Sequence, residues 1–116
     1  MWIMIAGPYS HGAPTAPERA ANLRVLNRVA LEVFEMGHVP VIGVNMALPI
    51  IEEAGEGSYQ RIMMPLSLAL SERCDACLRI GGDSPGADEE AERIRRLGRP
   101  VFYGLDELRA ITPPGS

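Results

Sequence analysis

The sequence has no lysine, few aromatic residues and a small excess of negative charge. All 11 of its basic residues are arginine, its net charge is −4, and aromatic residues make up 5% of its 116 positions. The missing lysine excludes Schiff-base catalysis and a lysine-bearing phosphate loop. Nucleic-acid binders usually carry a positive excess, and single-strand binders add several exposed rings. We therefore expect a protein that does not bind nucleic acid.

The sequence also lacks long hydrophobic runs and clustered metal ligands. No apolar stretch reaches the roughly 20 residues that cross a bilayer, and residues 1–7 show neither the basic stretch nor the cleavage pattern of a signal peptide. Cys74 and Cys77 form one C-x-x-C pair, far in sequence from His11 and His38, whereas zinc takes about four ligands. We therefore expect two buried thiols, no metal, no cofactor, no membrane partner and a cytoplasmic location.

Short apolar runs alternate along the chain with segments of helical spacing. The runs predict strands over residues 2–6, 39–43, 76–80 and 100–103. The helical segments predict helices between Thr15 and Gly37 and over residues 46–53, 58–73, 87–97 and 106–111. Such alternation is typical of a mainly parallel sheet with helices on both faces. We therefore predict one α/β domain over residues 1–111, a three-layer sandwich with four to five strands, and a frayed tail over residues 112–116.

The first long helix carries its own start and stop signals. Thr15 and Glu18 have the spacing of a capping box, and Gly37 has the position of a C-terminal glycine. The predicted buried stripe recurs at helical spacing and consists of Leu23, Leu26, Ala30, Val33 and Phe34. This helix should therefore pack on the sheet along that stripe.

Two loops follow predicted strands at the edge where parallel sheets bind ligands, namely the carboxyl ends of the strands. The first loop contains Gly7, Pro8, Tyr9, Ser10, His11 and Gly12. It has the glycine spacing of a phosphate loop without the Lys-Ser/Thr pair, which excludes an ATPase of that type. The glycines allow close approach of a ligand to the backbone, and Tyr9 and Ser10 offer polar groups to the crevice. The second loop contains Gly81, Gly82, Ser84 and Gly86.

The helix after the second loop begins with several acidic residues. Asp88 and Glu89 are explained by their favourable interaction with the helix dipole. Glu90 instead shares a side of the helix with Ala87, Ala91 and Ile94, so it should face the sheet or the crevice. A carboxylate in such a place must be paired or functional.

Five short motifs occur in a characteristic order. They are Gly7-Pro8-Tyr9, Gly37-His38-x-Pro40, Cys74-Asp75-Ala76, Ser84-x-Gly86-Ala87-x-x-Glu90 and Gly98-x-Pro100-Val101. Together, over about residues 2–104, they resemble the nucleoside 2-deoxyribosyltransferase-like superfamily, most closely a bacterial and phage branch of unassigned function. The resemblance implies a flavodoxin-like, Rossmann-like fold and a homo-oligomer, a dimer or higher. The methionine-containing helix over residues 58–73 is a candidate interface, although its apolar face equally fits ordinary core.

The resemblance also implies roles for individual residues. Glu90 matches the glutamate that attacks C1′ of a 2-deoxyribose, and Ser84 matches the serine that binds the sugar or its 5′-phosphate. Tyr9 would position the glutamate or the sugar, and Asp75 would act at the base or sugar, which makes it our candidate proton donor. The substrate-binding residues would be Gly7, Pro8, Ser10, Gly81, Gly82, Ser84 and Gly86. Cleavage with retention needs such a carboxylate nucleophile and a proton donor, and we expect the helix N-terminus to keep Glu90 ionised.

The sequence leaves several hypotheses open. The first is an enzyme, an N-glycosidase or deoxyribosyltransferase acting on a nucleoside or nucleotide. The second is a non-catalytic nucleotide-binding module on the same fold. Asp83 would repel a 5′-phosphate, which favours a neutral nucleoside, and residues 112–116 do not match the segment that true transferases borrow from a neighbouring subunit. A hydrolase with a Pro-Gly-Gly-x-Gly-Thr motif fits less well, because the chain offers only Gly81-Gly82-Asp83.

Overall fold

A four-stranded parallel sheet forms the centre of the computed structural model, which describes residues 1–113. In chain order the strands are β1 (Trp2–Ala6), β2 (Val39–Val41), β3 (Ala76–Arg79) and β4 (Val101–Phe102). They lie in the order β2-β1-β3-β4, and each neighbouring pair is parallel. The five helices are α1 (Ala16–Glu35), α2 (Gly43–Ala54), α3 (Tyr59–Ser71), α4 (Pro85–Arg96) and α5 (Leu105–Ile111). The predicted three-layer α/β fold is therefore confirmed.

Helices cover both faces of the sheet because the central strand β1 has two apolar sides. Side chains alternate between the faces of a strand, so Ile3 and Ile5 enter one core cluster while Met4 and Ala6 enter the other. The first cluster includes Leu26 of α1 and Leu108 of α5. The second includes Ala87, Ala91 and Ile94 of α4, with Leu70 of α3 packed against it. The candidate site therefore lies on the face that α3 and α4 cover.

Helix α1 begins where the capping signal predicted. The Thr15 hydroxyl accepts a hydrogen bond from the Glu18 amide at 3.3 Å and donates one to the Glu18 carboxylate at 2.9 Å. Leu26 and Val33 of the predicted stripe are buried, but Phe34 is 65% exposed, so its assignment to the core is wrong. Consecutive helical residues lie about 100° apart, and Val33 occupies the position that faces the sheet.

The segment after β2 differs from its prediction. Strand β2 ends at Val41 and α2 already begins at Gly43, whereas the sequence predicted strand through Gly43 and helix from Met46. Gly43 packs directly on α3, since a Cβ atom there would lie 2.3 Å from the Ser67 hydroxyl oxygen. Close packing on α3 thus requires a residue without a side chain at this helix start. Helix α3 runs from Tyr59 to Ser71 with Pro65 in its interior.

The amino end of the sheet is closed by contacts around His38. One ring nitrogen lies 2.9 Å from the amino group of Met1, and the other lies 3.0 Å from the Thr112 hydroxyl. Burial, with the nearby positive amino group, lowers the pKa of His38. Thr112 also donates to the Leu108 carbonyl at 2.8 Å, so this first residue of the predicted tail is attached to α5. Residues 114–116 of that tail lie outside the described residues.

Two further properties of the chain concern metals and membranes. Within residues 1–113, no three His, Cys, Asp or Glu side chains are grouped as a metal site would require. No helix of the described chain has the length and apolar character needed to cross a membrane.

Cys74 and Cys77 are free and buried, and burial raises the pKa of their thiols to about 11 and about 12. A thiol with so high a pKa is a poor nucleophile at neutral pH.

Candidate active site

A cleft opens at the carboxyl ends of β1 and β3, between the first loop and the facing sides of α3 and α4. Its cavity volume is about 80 Å³, which is smaller than the roughly 300–1,000 Å³ of typical ligand pockets. A bound small molecule would therefore lie only partly inside the cleft and extend into solvent. Its walls combine hydroxyl, aromatic and apolar side chains with one carboxyl group. The lining residues are Gly7, Tyr9, Ser10, His11, Val44, Tyr59, Met63, Met64, Ser67, Ser84, Gly86, Ala87 and Glu90.

Glu90 brings the carboxyl group into this cleft. It lies in the second turn of α4, on the side that also buries Ala87 and Ala91 against the sheet, and is only 9% exposed. Its carboxyl group has no hydrogen-bond partner among residues 1–113. Neither oxygen of the Glu90 carboxyl group is fully enclosed without a partner. The group therefore reaches the open part of the cleft.

The protonation of Glu90 is governed by its burial. Desolvation disfavours the charged form of a carboxyl group and raises the pKa of Glu90 to about 8, against a smaller opposing effect of the Arg79 charge. The expectation that the helix N-terminus keeps Glu90 ionised at neutral pH is therefore wrong. The favourable interaction with the helix dipole amounts to at most about 2 kcal/mol and fades beyond the first turn. Glu90 lies in the second turn of α4.

Arg79 does not neutralise Glu90 because its guanidinium group is engaged elsewhere. Its Nε donates to Asp88 at 2.9 Å and one terminal nitrogen donates to the Gly82 carbonyl at 2.8 Å. The other terminal nitrogen donates to the carbonyl of Ile80. Arg79, whose side chain is 10% exposed, thus fastens the second loop to the first turn of α4.

Ser84 positions the start of α4 at the edge of the cleft. It is the N-cap residue, and its hydroxyl oxygen accepts a hydrogen bond from the Ala87 amide at 3.2 Å. Such a cap satisfies an amide that the helix leaves free. A hydroxyl can accept and donate at once, so Ser84 can also donate to a bound molecule. Gly86 allows α3 to approach, because a Cβ atom there would lie 3.1 Å from the sulfur of Met64.

The first loop forms the opposite side of the mouth and is held in place from two directions. Asn22 of α1 donates a hydrogen bond to the Tyr9 carbonyl at 2.8 Å. Across the cleft, the Tyr59 hydroxyl donates to the Ser10 hydroxyl at 3.0 Å. The Tyr59–Ser10 contact therefore joins the first loop to the start of α3 above the opening.

Three predicted binding residues lie outside this cleft. Pro8, Gly81 and Gly82 line a separate depression on the α1 side, beside Asn22 and Leu26. The two loops touch there, and a Cβ atom at Gly81 would lie 2.8 Å from Pro8. Gly81 also has a φ of +76°, a conformation that favours glycine. These positions shape the loops that surround the cleft.

Asp75 is also outside the cleft, at the amino end of β3. The four residues of β3 separate it from the second loop, a span of roughly 13 Å at about 3.3 Å per residue. Its carboxylate accepts a hydrogen bond from the Trp2 amide at 2.8 Å. The structure therefore brings together Gly7, Tyr9, Ser10, Ser84, Gly86 and Glu90 of the predicted site, and separates Asp75, Pro8, Gly81 and Gly82 from it.

Several lining residues were not predicted from the sequence. They belong to α2 and α3, and they are Val44, Tyr59, Met63, Met64 and Ser67. The long connection between β2 and β3 folds back over the carboxyl end of the sheet, which periodicity alone does not reveal. The one usable signal was the pair of methionines on the predicted helix, which line the cleft in the structure.

Comparisons with known proteins add no assignment. No protein-family model matches the chain, and searches of curated proteins and of solved structures find no match either. A functional assignment therefore depends on the sequence motifs and on the geometry of the cleft.

Proposed function

We propose that this chain binds a nucleoside in the cleft and cleaves its N-glycosidic bond, by hydrolysis or by transfer, with Glu90 as the nucleophile. The observation that carries the proposal is a carboxyl group, nine-tenths buried, that reaches the cleft without a hydrogen-bond partner in the described chain. Burying such a group costs free energy. Strongly perturbed, cleft-lining carboxyl groups are concentrated at functional sites. The motif from Ser84 to Glu90, whose ends meet in the cleft, supports the same chemistry.

The chemistry follows from the ionised form of Glu90. The carboxylate attacks C1′ of the sugar, the bond from C1′ to the base breaks, and its electron pair leaves with the base. A glycosyl ester on Glu90 results, and water or a second base then displaces Glu90. Because Asp75 lies at the other end of the sheet, the proton for the departing base would come from another cleft group or from water.

The cleft favours a neutral nucleoside over a 5′-phosphorylated one. None of its lining residues is an arginine. The first turn of α4 has little capacity for an anion, because Pro85 has no amide hydrogen and the amides of Ala87 and Asp88 already bond to Ser84. The charge of Arg79 near this helix end is already paired with Asp88 at 2.9 Å. The apolar walls formed by Met63, Met64 and Tyr59 suit a base, and the hydroxyl groups suit a sugar.

A non-catalytic nucleoside-binding module is the second candidate, and one observation favours it. A glycosidase that retains configuration normally uses two carboxyl groups about 5–5.5 Å apart, whereas the cleft lining contains the single carboxyl group of Glu90. With its pKa near 8, that group is mainly protonated at pH 7 and can donate a hydrogen bond to a bound ligand.

Base release and thermal stabilisation together distinguish the two candidates. The four common 2′-deoxynucleosides and their 5′-monophosphates are incubated at pH 8 with wild type, Glu90→Gln and the matched control Asp75→Asn. We expect release from a nucleoside by wild type and Asp75→Asn, and at least about a 10³-fold loss in Glu90→Gln, as for removal of other nucleophiles. If a compound stabilises the protein but neither wild type nor any variant releases base, the binding module is supported instead. If no compound causes stabilisation or base release, both candidates are overturned.

An oligomer and a cytoplasmic location remain part of the proposal. The side chains of Met63 and Met64 line the cleft, so the methionines of α3 serve the site. Exposed apolar side chains occur instead around β2 and α2, where Trp2, Met46 and Ile50 are each at least 45% exposed. Sedimentation velocity across a range of concentrations would reveal a dimer or higher oligomer.

A further inference from the structure

Ser67 is a buried polar residue in the wall of the cleft, as Ser84 and Glu90 are. It lies in α3 against Gly43 of α2, and it is only 2% exposed. The one hydrogen-bond partner of its hydroxyl within residues 1–113 is the sulfur of Met63, to which the hydroxyl donates at 4.0 Å. A thioether is a weak acceptor, and this distance is at the limit of such a bond. The hydroxyl of Ser67 therefore keeps most of its hydrogen-bonding capacity although it is almost fully removed from solvent.

Ser71, one helical turn later, shows what a structural serine does in the same helix. It is fully buried, and its hydroxyl donates to the carbonyl of Ser67 at 2.9 Å. Helical serines commonly bond in this way to the carbonyl four residues earlier. Ser67 directs its hydroxyl towards the thioether and lines the cleft, whereas Ser71 is not among the lining residues. The two serines share residue type, helix and burial, and differ in access to the cleft.

The packing of α2 holds Ser67 in this orientation. Gly43 begins α2 against α3, and a Cβ atom on it would lie 2.3 Å from the hydroxyl oxygen of Ser67 and 2.8 Å from its Cβ atom. Only glycine leaves room for a side chain there. The close packing of α2 on α3 explains the glycine, whereas it leaves the buried hydroxyl of Ser67 with only a weak hydrogen bond.

We propose that Ser67 contacts the ligand directly, and that its hydroxyl hydrogen-bonds a sugar hydroxyl of the nucleoside bound beside Glu90. The inference rests on the proposed function, because it takes the ligand to be a nucleoside. Ser67 and Glu90 approach the same cleft from adjacent helices, and a sugar carries several hydroxyl groups that can bond to both. A buried hydroxyl with a weak protein partner regains a full hydrogen bond when the ligand binds.

The test compares Ser67→Ala with its matched control Ser71→Ala. Dissociation constants for the four common 2′-deoxynucleosides are measured by calorimetry at pH 6, where Glu90 is protonated and turnover is slow. We expect Ser67→Ala to weaken binding about tenfold, the effect of losing about 1.4 kcal/mol, and Ser71→Ala to bind within about twofold of wild type. Analogues of the bound nucleoside that lack its 3′- or its 5′-hydroxyl extend the test. With the analogue that lacks the contacted hydroxyl, wild type and Ser67→Ala should bind equally.

The outcomes separate this inference from the proposed function. If wild type releases base but Ser67→Ala binds as tightly as Ser71→Ala, the role of Ser67 is overturned and the enzymatic proposal stands. If wild type binds a nucleoside without base release and Ser67→Ala weakens binding, Ser67 is a ligand contact in a binding module. If no nucleoside binds to wild type, both proposals are overturned. Thermal denaturation of both variants confirms that each is folded.

Discussion

The two ends of the central sheet use carboxyl groups in opposite ways. At the amino end, Asp75 is exposed to solvent and its carboxylate holds the backbone of Trp2 through a 2.8 Å hydrogen bond. At the carboxyl end, Glu90 is buried, and burial raises its pKa to about 8. The first arrangement stabilises the fold, whereas the second leaves a costly group facing a cleft. The sequence motifs assigned both residues to one site, and the contrast shows that only one of them has the surroundings of a functional group.

This contrast predicts a pH dependence of stability that belongs to Glu90. The folded state keeps a proton on Glu90 up to about pH 8, whereas the unfolded chain releases it near the ordinary value of 4.5. Between these values the folded state binds more protons, so the free energy of unfolding falls as the pH rises, by about 3 kcal/mol from pH 5 to pH 8. Glu90→Gln lacks this decrease and should be the more stable protein at pH 8.

Urea unfolding at pH 5 and pH 8 checks this prediction. Wild type and Glu90→Gln contain the same histidines and other carboxyl groups, so the difference between their pH dependences isolates Glu90. Parallel curves would show that Glu90 titrates near its ordinary pKa and is not buried as the structure has it.

The same protonation should govern catalysis. If ionised Glu90 attacks the sugar, kcat/KM for base release follows the ionised fraction of Glu90 in the free enzyme. With a pKa of about 8, that fraction and the rate rise about 50-fold from pH 6 to pH 8. Asp75→Asn, altered at the other end of the sheet, should give the same profile. A profile that is already flat above pH 6 would contradict the role of the raised pKa.

Substitution of Asp75, in contrast to that of Glu90, should lower stability and leave base release almost unchanged. Replacing it by alanine removes the acceptor for the Trp2 amide and should lower the free energy of unfolding by about 0.5–1.5 kcal/mol. Base release by the folded variant should stay within about twofold of wild type, since such a distant surface change has little effect on a site. A large loss of activity in a folded Asp75→Ala protein would return Asp75 to the site.

The smallest expected effect distinguishes the two serines of α3. Ser71→Ala loses the hydrogen bond from the Ser71 hydroxyl to the Ser67 carbonyl and should lower the free energy of unfolding by roughly 0.5–1 kcal/mol. Ser67→Ala removes a poorly bonded buried hydroxyl, so its stability should equal or exceed that of wild type. Urea titrations of both variants decide this, and a Ser67→Ala protein less stable than Ser71→Ala would make Ser67 a structural residue.

Local patterns predicted most of the fold. The apolar run of β1 and the capping signal of α1 depend on neighbouring residues only, and both match the structure. The start of α2 at Gly43 could not be predicted, because it depends on contact with Ser67, 24 positions later in the sequence. The predicted burial of Phe34 was also wrong. Helical spacing identifies an apolar stripe, but it does not determine which residues at the edge of the stripe face solvent.

The candidate site was predicted only as far as it lies next to strand ends. Tyr9, Ser84 and Glu90 follow β1 and β3 closely, so the parallel topology brings them together. Asp75 precedes β3 and therefore lies at the opposite end, although it is close to the second loop in sequence. Tyr59 and Ser67 enter the cleft through the fold of the β2–β3 connection, which is a tertiary feature that a single sequence does not encode in any short pattern.

Direct titration of the Glu90 side chain tests whether this carboxyl group is buried and whether it belongs to a ligand site. Carbon-13 NMR of protein labelled at glutamate carboxyl groups, assigned with Glu90→Gln, follows this group with and without a bound 2′-deoxynucleoside. We predict a midpoint near pH 8 in the free protein and a displaced midpoint when the nucleoside fills the cleft. A midpoint near 4.5 that the nucleoside leaves unchanged would contradict both the burial of Glu90 and its role in the site.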